Sequence, residues 1–305
     1  MKDLGLAALQ WYVRRFPISK GKGRLVSWLW KPLAGGNWQR QTVLRQADVQ
    51  VACDLSKLLQ RHLYFWGGYE EGSCAHWLRL ARESTTIFDI GANVGLYSLL
   101  ASRANPQSKV YAFEPAVEVS AILQRNVELN GMQNISVVLA AVGDSDRTGF
   151  LRLCAGSDGS NEGMNYLSRH KTNESDLPVA VVSLDSYCHS HNIEQIDLMK
   201  MDIEGGEYEA LLGAQELLRR RAIGCIFLEM AEWAAKRSGH STQEIERLLV
   251  DAGYRLFTPG LRGLVPMALE ATTRPENVIA FLREPGHWRG QKESGGMEAG
   301  PWQLR

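Results

Sequence analysis

The chain has 305 residues, of which 45% are hydrophobic and 22% are charged, and its 34 basic and 34 acidic side chains cancel. A chain of this size can form one large globular domain with an extension, or two small domains. No apolar run approaches the roughly 20 residues of a membrane-spanning helix, and Gln10, Arg14 and Arg15 interrupt the apolar character of the N-terminus. We therefore expect a substantial core and a protein that is neither membrane-spanning nor secreted.

Five cysteines are scattered along the chain, at positions 53, 74, 154, 188 and 225. Their number is odd and they form no C-x-x-C pair, so the sequence indicates neither a disulfide framework nor a zinc site. A reducing cytoplasm is the simplest location for such a chain, and no metal is expected from its cysteines.

Residues 1–45 differ electrostatically from the remainder. They hold nine basic residues against one acid, Asp3, which gives a net charge of +8 and leaves −8 for the rest of the chain. Four tryptophans are interleaved with these charges: Trp11, Trp28, Trp30 and Trp38. Two interpretations stay open, namely peripheral association with an anionic membrane surface, or a solvated basic face whose tryptophans dock on the main domain. We predict a separate N-terminal extension over residues 1–50.

From residue 85 onward, short apolar strands alternate with helical stretches, which is typical of a parallel sheet covered on both faces. "TTIFDI" is predicted as the first strand, "KVYAFEP" as the second and "ISVVLAAVGD" as the third, with a helix after each of the first two. The alternation returns after residue 187 with "IDLMKM", "IGCIFLEM", "YRLFTP" and finally "NVIAFLRE".

The stretch over residues 149–187 interrupts this alternation. "GFLRLCAG" and "VAVVSLDSY" resemble antiparallel strands on either side of a polar, glycine-containing segment, so we predict a β-hairpin insertion. Residues 286–305 are rich in glycine and charge with few apolar anchors, and they are predicted to form a disordered tail.

The sequence "IFDIGANVGLYS", residues 87–98, joins the first strand to a helix through a glycine-containing turn. Free backbone N–H groups at the start of the helix attract a negatively charged or carbonyl-bearing ligand. A dinucleotide-binding turn would read G-x-G-x-x-G, whereas Gly91 and Gly95 are spaced G-x-x-x-G with Asp89 just before them. The acid would repel a pyrophosphate but attract the ammonium of an amino acid.

Glu114 ends the second strand, 25 residues after Asp89. A carboxylate in that place can accept hydrogen bonds from both hydroxyls of a ribose. An amino acid joined to a nucleoside satisfies both positions, which indicates S-adenosylmethionine as the ligand.

Four stretches in this order, "FDIGANVGLYS", "AFEP", "AAVGD" and "LMKMDIEGGEYEAL", together with "YFWGGYEEG" upstream, resemble the FkbM family of S-adenosylmethionine-dependent methyltransferases. The resemblance covers about residues 50–282. It implies a methyltransferase domain over residues 51–285 with a class I methyltransferase (Rossmann-like) sheet of seven strands, mostly parallel, with the last strand antiparallel. It also implies methyl transfer to a hydroxyl of a small-molecule or glycan acceptor, often a sugar or a polyketide-like product, and no nucleic-acid partner.

Carried over residue by residue, the resemblance implies a cofactor site. The methionine pocket would contain Asp89, Gly91, Asn93 and Gly95; the ribose would meet Glu114, followed by Pro115; and the adenine would border Ala141, Val142 and Asp144. Structural roles compete with each assignment. The glycines could serve only the sharp turn, Glu114-Pro115 could be an ordinary strand exit, and Asp144 could be a turn residue bonded to its own backbone.

The methyl acceptor should lie at the carboxyl ends of the strands, where open parallel sheets bind their ligands. The sequence places Lys200, Asp202 and Glu204 there, with Glu229 ending an adjacent strand. Three interpretations compete: a general base for the acceptor hydroxyl, a divalent-metal site, or a structural lysine–carboxylate network. We expect Asp202 to accept the proton or orient the hydroxyl, with the other three tuning or positioning it. Glu207, in the first turn of the next helix, is predicted to interact favourably with the helix dipole.

Other residues could approach the acceptor. His170 and His240 are candidate proton acceptors or ordinary surface histidines. Tyr69 and Glu70 are expected near the entrance to the cofactor or acceptor site, with hydrogen bonding to local backbone as the alternative. The polar segment over residues 156–176 is expected to close over the acceptor.

Two other functions remain open from the sequence. A nicotinamide-dependent oxidoreductase would explain the sheet and Glu114, although the glycine spacing disagrees with it. A catalytically silent scaffold that binds S-adenosylmethionine would retain the same cofactor motifs.

Overall fold

The computed structural model describes residues 2–16, 20–34, 36, 38–153, 165–260, 263–267 and 277–282. The N-terminal segment contains two helices and a β-hairpin: α1 (Lys2–Arg15), α2 (Lys22–Ala34), β1 (Gln39–Leu44) and β2 (Val49–Asp54). The predicted tail over residues 286–305 and Cys154 lie outside the described residues. Cys53, Cys74, Cys188 and Cys225 are buried free thiols.

The two N-terminal helices form an antiparallel hairpin. A Cβ atom on Gly5 would lie 2.7 Å from the side chain of Leu33, which brings the start of α1 beside the end of α2. At the other end, Lys22 Nζ donates to the carbonyl oxygens of Val13 and Phe16, at 2.6 and 2.5 Å. Since these carbonyls belong to the C-terminal turn of α1, the lysine caps that helix.

The extension packs on the rest of the molecule through a shared core. Leu6, Leu9 and Trp30 are buried in the same cluster as Trp77 and other residues of the domain. Trp30 therefore docks on the main domain, as the interpretation of a solvated basic face predicts. The other tryptophans of the segment, Trp11, Trp28 and Trp38, are exposed. Dividing the chain at residue 50 stays a prediction.

The central elements follow in chain order: α3 (Leu58–Trp66), α4 (Glu71–Ala81), β3 (Thr86–Ile90), α5 (Leu96–Ala104), β4 (Lys109–Phe113), α6 (Val117–Leu129), β5 (Ile135–Val138), β6 (Ala141–Val142), β7 (Arg147–Arg152), β8 (Tyr166–Ser168), β9 (Leu177–Val182) and α7 (Leu184–Ser190). The C-terminal elements are β10 (Ile196–Met201), α8 (Glu207–Leu212), α9 (Gln215–Arg219), β11 (Ile223–Glu229), α10 (Glu232–Arg237), α11 (Thr242–Asp251), β12 (Arg255–Gly260), β13 (Gly263–Pro266) and β14 (Asn277–Phe281).

The main sheet has the order β13-β12-β14-β11-β10-β3-β4-β5. Strands β11, β10, β3, β4 and β5 pair in parallel, and β14 runs antiparallel to both of its neighbours. The expectation of an antiparallel last strand is thus confirmed. The expected count of seven was wrong, because the chain turns back after Gly260 and adds β13 antiparallel to β12 as an eighth strand at the edge.

A second sheet in the described residues has the order β6-β9-β7-β8. The predicted insertion is therefore larger than a hairpin. The predicted third strand is also divided, since its first half is β5 in the main sheet and its second half is β6 in the small one. Between them Ala140 N donates to Val138 O at 2.9 Å, which turns the chain toward β9.

Parallel strands place the polar ends of β3, β4, β10 and β11 at one edge of the main sheet. The β3–β10 register pairs Asp89 with Lys200, and the β10–β11 register pairs Met201 with Leu228, one residue before Glu229. The sheet thus delivers the predicted acceptor-side residues to one place. Among the described residues, no helix is long and apolar enough to cross a membrane.

Candidate active site

The turn after β3 is held against both neighbouring strands. Gly91 has φ 79° and Asn93 has φ 51°, a region that strongly favours glycine. A Cβ atom on Gly91 would lie 2.0 Å from the carbonyl oxygen of Asp202, so only glycine lets the turn pass this close to the end of β10. The N–H groups of Gly91 and Ala92 both donate to Phe113 O, at 3.0 and 2.9 Å, which fixes the turn to β4.

Glu114 lies across this turn and is 8% exposed. Its Oε2 accepts from the Asn93 N–H at 3.0 Å and its Oε1 accepts from the Ala116 N–H at 2.9 Å. The two backbone donors hold the carboxylate in one orientation.

A first cavity opens beside this carboxylate. Six residues of the predicted cofactor site line it: Gly91, Asn93, Glu114, Pro115, Ala141 and Val142. Apolar side chains complete one wall, and the described part of the insertion contributes Leu151, Asn165 and Leu167. Asp202 and Glu204 lie at one end of the lining. Elsewhere the cavity combines the fixed Glu114 carboxylate with apolar walls, which suits a ribose joined to a flat heterocycle. Of the polar segment over residues 156–176 that was expected to close over the acceptor, residues 156–164 lie outside the described residues.

Three predicted cofactor residues occupy other positions. Gly95 begins α5, and a Cβ atom there would lie 2.3 Å from Leu123, so this glycine permits close packing against α6. Asp144 accepts from Arg169 at 2.6 Å and is outside the lining of the first cavity. Asp89 is buried and accepts from Ser98 Oγ at 2.6 Å; burial raises the pKa of its carboxyl, and the charge of Lys200 opposes that rise.

A second, larger cleft adjoins the first cavity. The two share Gly91, Asn93, Asp202 and Glu204 as lining residues. The floor of the second cleft contains Asp89, Lys200 and Glu229, and its outer wall contains Lys57, Leu58, Leu59, His62, Tyr69 and Glu70. A ligand in the first cavity and a ligand in the second would therefore meet at the ends of β3 and β10.

Lys200 is the centre of the charges on this floor. Its Nζ donates to Asp202 Oδ2 at 2.6 Å and lies 4.5 Å from the centre of the Tyr97 ring. Tyr97 in turn donates its hydroxyl to Glu70 at 2.6 Å. Burial alone would lower the pKa of Lys200, but the charges of Asp202, Asp89 and Glu70 raise it above its usual value. The lysine is thus a fixed cation among carboxylates.

Asp202, Glu204 and Glu229 place one carboxylate oxygen each within 4.8 Å of one another. Burial raises the pKa of Glu229 to about 9, and its hydrogen bond with Asp202 adds to the rise. Burial would also raise the pKa of Asp202, but Lys200 and Glu229 hold it below its usual value. Glu229 consequently carries a proton near neutral pH and donates it in a hydrogen bond to the ionised Asp202.

Glu204 has the intermediate basicity of the three. Burial raises its pKa to about 7, the charge of Asp202 adds to this rise, and Arg237 opposes it. Arg237 also donates to the Glu204 carbonyl oxygen. Glu207 is 3% exposed and accepts from the Ile203 N–H at 3.0 Å, so it braces the turn as well as beginning α8.

Unusual backbone conformations gather around the second cleft. Of six non-glycine residues with positive φ among the described residues, Glu70 (44°), Asn93 (51°) and Glu204 (57°) line it. Such conformations cost of order 1 kcal/mol or more and persist only where the surroundings impose them. Tyr69 and Glu70 lie at the cleft, where the sequence placed them.

The histidine of the cleft is one that the sequence did not indicate. His62 stacks on Trp66, with ring centroids 4.6 Å apart and planes 6° apart, and its ring lies 5.6 Å from that of Tyr69. Burial lowers the pKa of His62. His240 instead packs on Tyr208, and His170 is exposed. The one signal in the sequence for this stacked pair is the spacing of His62 and Trp66, which are four residues apart and so one turn apart on a helix.

Comparison with known proteins gives a family model and several relatives. The model described as the methyltransferase FkbM domain matches residues 89–256. Methyltransferase sdnD of Sordaria araneosa is 32% identical over 156 residues, covering 43% of this chain and 60% of that protein. The 2-O-methyltransferase NoeI of Sinorhizobium fredii is 27% identical over 155 residues, covering 46% of this chain and 62% of that protein.

The 31-O-demethyl-FK506 methyltransferase FkbM of Streptomyces tacrolimicus is 26% identical over 162 residues, covering 44% of this chain and 61% of that protein. The chain thus spans about three fifths of the length of these relatives.

Proposed function

This chain belongs to the FkbM methyltransferase family, and we propose that it transfers the methyl group of S-adenosylmethionine to a hydroxyl oxygen of a sugar, glycan or secondary-metabolite acceptor. The family is S-adenosylmethionine-dependent. The observation that carries the proposal is the junction of two cavities at Asp202 and Glu204. Two relatives whose printed names include O-methylation support a hydroxyl as the acceptor.

The first cavity would hold the nucleoside of the cofactor. In this proposal Glu114 accepts hydrogen bonds from the two ribose hydroxyls, and Ala141 and Val142 border the adenine. Gly91, Asn93 and Asp89 would hold the methionine end; Gly91 and Asn93 belong to the lining that both cavities share. Gly95 and Asp144 act at a distance, by packing α5 and by holding the chain after β6.

The acceptor would occupy the second cleft with its hydroxyl at the junction. When bound, the cofactor would supply an activated methyl group: the acceptor oxygen would form a bond to the methyl carbon as the carbon–sulfur bond breaks, and the electron pair of that bond would remain on sulfur. The hydroxyl proton passes to a carboxylate. Since a sulfonium methyl is already activated, alignment and proton acceptance are what the protein supplies.

Glu204 is the better proton acceptor of the two carboxylates at the junction. Asp202, which the sequence favours, accepts from Lys200 and pairs with the protonated Glu229; these contacts support an orienting role. Glu204, with its pKa near 7, matches the working pH of a general base.

The metal interpretation predicts a different requirement. Asp202, Glu204 and Glu229 could offer oxygen ligands, but the Lys200 ammonium and the proton on Glu229 already offset their charge. We infer that a chelator such as EDTA leaves turnover unchanged. Loss of activity with EDTA and its recovery with Mg²⁺ or Mn²⁺ would show that these carboxylates are metal ligands.

The deciding experiment supplies methyl-labelled S-adenosylmethionine and fractionated cell extract to the purified protein. We expect one fraction to gain base-stable label, as a methyl ether would, and Glu204→Gln to prevent most of that gain. A protein that binds the cofactor but labels no fraction would be a scaffold. A parallel titration with NAD tests the oxidoreductase, which requires binding at a strength comparable to that of S-adenosylmethionine.

A further inference from the structure

The hairpin of α1 and α2 turns one face away from the molecule. Leu6, Val13 and Trp30 are buried in the shared core, whereas Trp11 is 62% exposed and Trp28 is 76% exposed. On each helix the exposed residues recur at helical spacing on the side opposite the buried ones, so both exposed stripes face away from the shared core. We call this side the hairpin face; its exposed members are Leu4, Trp11, Arg15, Arg24, Trp28 and Lys31.

The two exposed tryptophans are close to each other along the hairpin. Gly5 lies beside Leu33, and Lys22 reaches the carbonyl of Phe16. This antiparallel alignment sets Trp11 opposite Ser27, one residue before Trp28. At a rise of about 1.5 Å per residue, the two indoles lie within about one helical turn of each other along the axis.

The charge of the segment is strongly one-sided. Asp3 is the only acid in residues 1–45, against nine basic residues. Two of those cations act inside the fold, since Arg14 donates to Tyr64 O at 2.7 Å and Lys22 caps α1. Arg15, Lys20, Arg24 and Lys31 are exposed, so the hairpin face offers cations next to indole rings.

We propose that the hairpin face docks on the surface of an anionic lipid bilayer. Tryptophan prefers the boundary between headgroups and acyl chains, and Lys and Arg are attracted to anionic headgroups by about 1 kcal/mol each. A bilayer accepts cations and indoles spread over a convex surface, whereas a protein partner would need a groove shaped to receive both tryptophans. This docking is independent of methyl transfer.

The test is co-sedimentation of the full-length protein with vesicles. We expect binding to vesicles of phosphatidylglycerol mixed with phosphatidylcholine, a decrease in that binding as salt rises, and weak binding to phosphatidylcholine alone. Arg15→Glu, Arg24→Glu and Lys31→Glu together should lower the partition coefficient at least about tenfold. Trp11→Ser with Trp28→Ser should lower it as well.

The matched control reverses three exposed cations elsewhere: Lys109→Glu, Arg125→Glu and Arg247→Glu. It changes net charge by the same amount, and we expect it to keep most of the binding. Trp233→Ser, at a tryptophan that is 48% exposed on α10, controls for loss of an indole. Circular dichroism verifies that each variant is folded.

Three outcomes would overturn the proposal: no binding of the wild type to anionic vesicles, equal loss in the hairpin and control triple variants, or equal binding to vesicles with and without phosphatidylglycerol. Because vesicle binding needs no acceptor, its failure would leave the proposed methyl transfer untouched. A protein that binds vesicles but transfers no methyl group would contradict the proposed function and leave the docking proposal intact.

Discussion

The two cavities that meet at Asp202 and Glu204 are built from different kinds of residues. The first is lined mainly by short stretches that follow β3, β4 and β5, and apart from the two shared carboxylates it contains the Glu114 carboxylate, which is fixed by two backbone N–H groups. The second draws charged and aromatic side chains from α3, the turn before α4, α5, and the ends of β10 and β11. Recognition of a constant cofactor can thus be encoded in local turns, whereas recognition of an acceptor depends on contacts between distant parts of the chain.

Gly91→Ala should have the largest effect, because both cavities share this residue. The new methyl group would overlap the Asp202 carbonyl at 2.0 Å, in a backbone with φ 79°. We expect a loss of about 2 to 5 kcal/mol in the free energy of unfolding, measured by denaturant titration, and loss of cofactor binding.

Gly131→Ala is the control for Gly91→Ala. Its φ is 61°, but nothing lies within 4 Å of the added Cβ atom, so it reports the backbone strain alone. Equal destabilisation in the two variants would show that the close approach to Asp202 has no energetic importance.

Glu204→Gln should separate the chemistry at the junction from cofactor binding. Replacing the base with an amide should lower kcat by a factor of about 10² to 10⁴ and leave the Kd for S-adenosylmethionine near that of the wild type. Because the carboxylate must be deprotonated to accept a proton, wild-type kcat should rise with pH through about 7. Full activity in Glu204→Gln, with inactivity in Asp202→Asn, would return the base role to Asp202.

Glu114→Ala should act on the first cavity alone. Two charge-assisted hydrogen bonds to the ribose would be lost, so we expect the Kd for S-adenosylmethionine to rise at least about tenfold in a calorimetric titration. Glu118→Ala, exposed on the nearby α6, is the control. An unchanged Kd in Glu114→Ala would remove the ribose assignment.

Glu229→Gln should produce the smallest effect, a change in the pH dependence of stability. The pKa of Glu229 rises from 4.5 to about 9 on folding, so the folded protein keeps a proton that the unfolded chain releases. The stability that this group contributes is complete below about 4.5 and is lost as pH rises toward about 9. Glutamine does not titrate, so the Tm of the variant relative to wild type should increase with pH across that window.

Glu118→Gln provides the comparison for the Tm measurements. Parallel Tm profiles for wild type and Glu229→Gln would mean that Glu229 is ionised in the folded protein. In that case neither Glu229 nor Asp202 would carry a proton, and the two carboxylates could not hydrogen-bond to each other.

The strands around the first cavity could be predicted because their signals are local. "TTIFDI" and "KVYAFEP" each join an apolar run to a polar end within a few residues, and the structure places them as β3 and β4. The division of the third predicted strand could not be predicted in this way. β6 contains only Ala141 and Val142 and pairs with β9, about 40 residues later, and two residues carry no periodicity.

The outer wall of the second cleft was also beyond local patterns. His62 lies on a helix whose apolar spacing indicates packing, and nothing in its neighbourhood marks it as facing a ligand. The position of His62 depends on tertiary packing. One side of α3 packs against α1 of the N-terminal helical hairpin, and the other side, which carries His62, faces the second cleft. The acids at the strand ends were easier to predict, because parallel strands bring their carboxyl ends together.

Helix α3 contacts the N-terminal helical hairpin through α1 and lines the second cleft through His62. Any event that moves this one rigid element changes the free energy of both surfaces. Thermodynamic linkage then requires reciprocity: if a contact on the hairpin strengthens acceptor binding by some factor, the acceptor must strengthen that contact by the same factor. Through helix α3, the surface to which the hairpin binds could therefore change the affinity of the second cleft for its ligand.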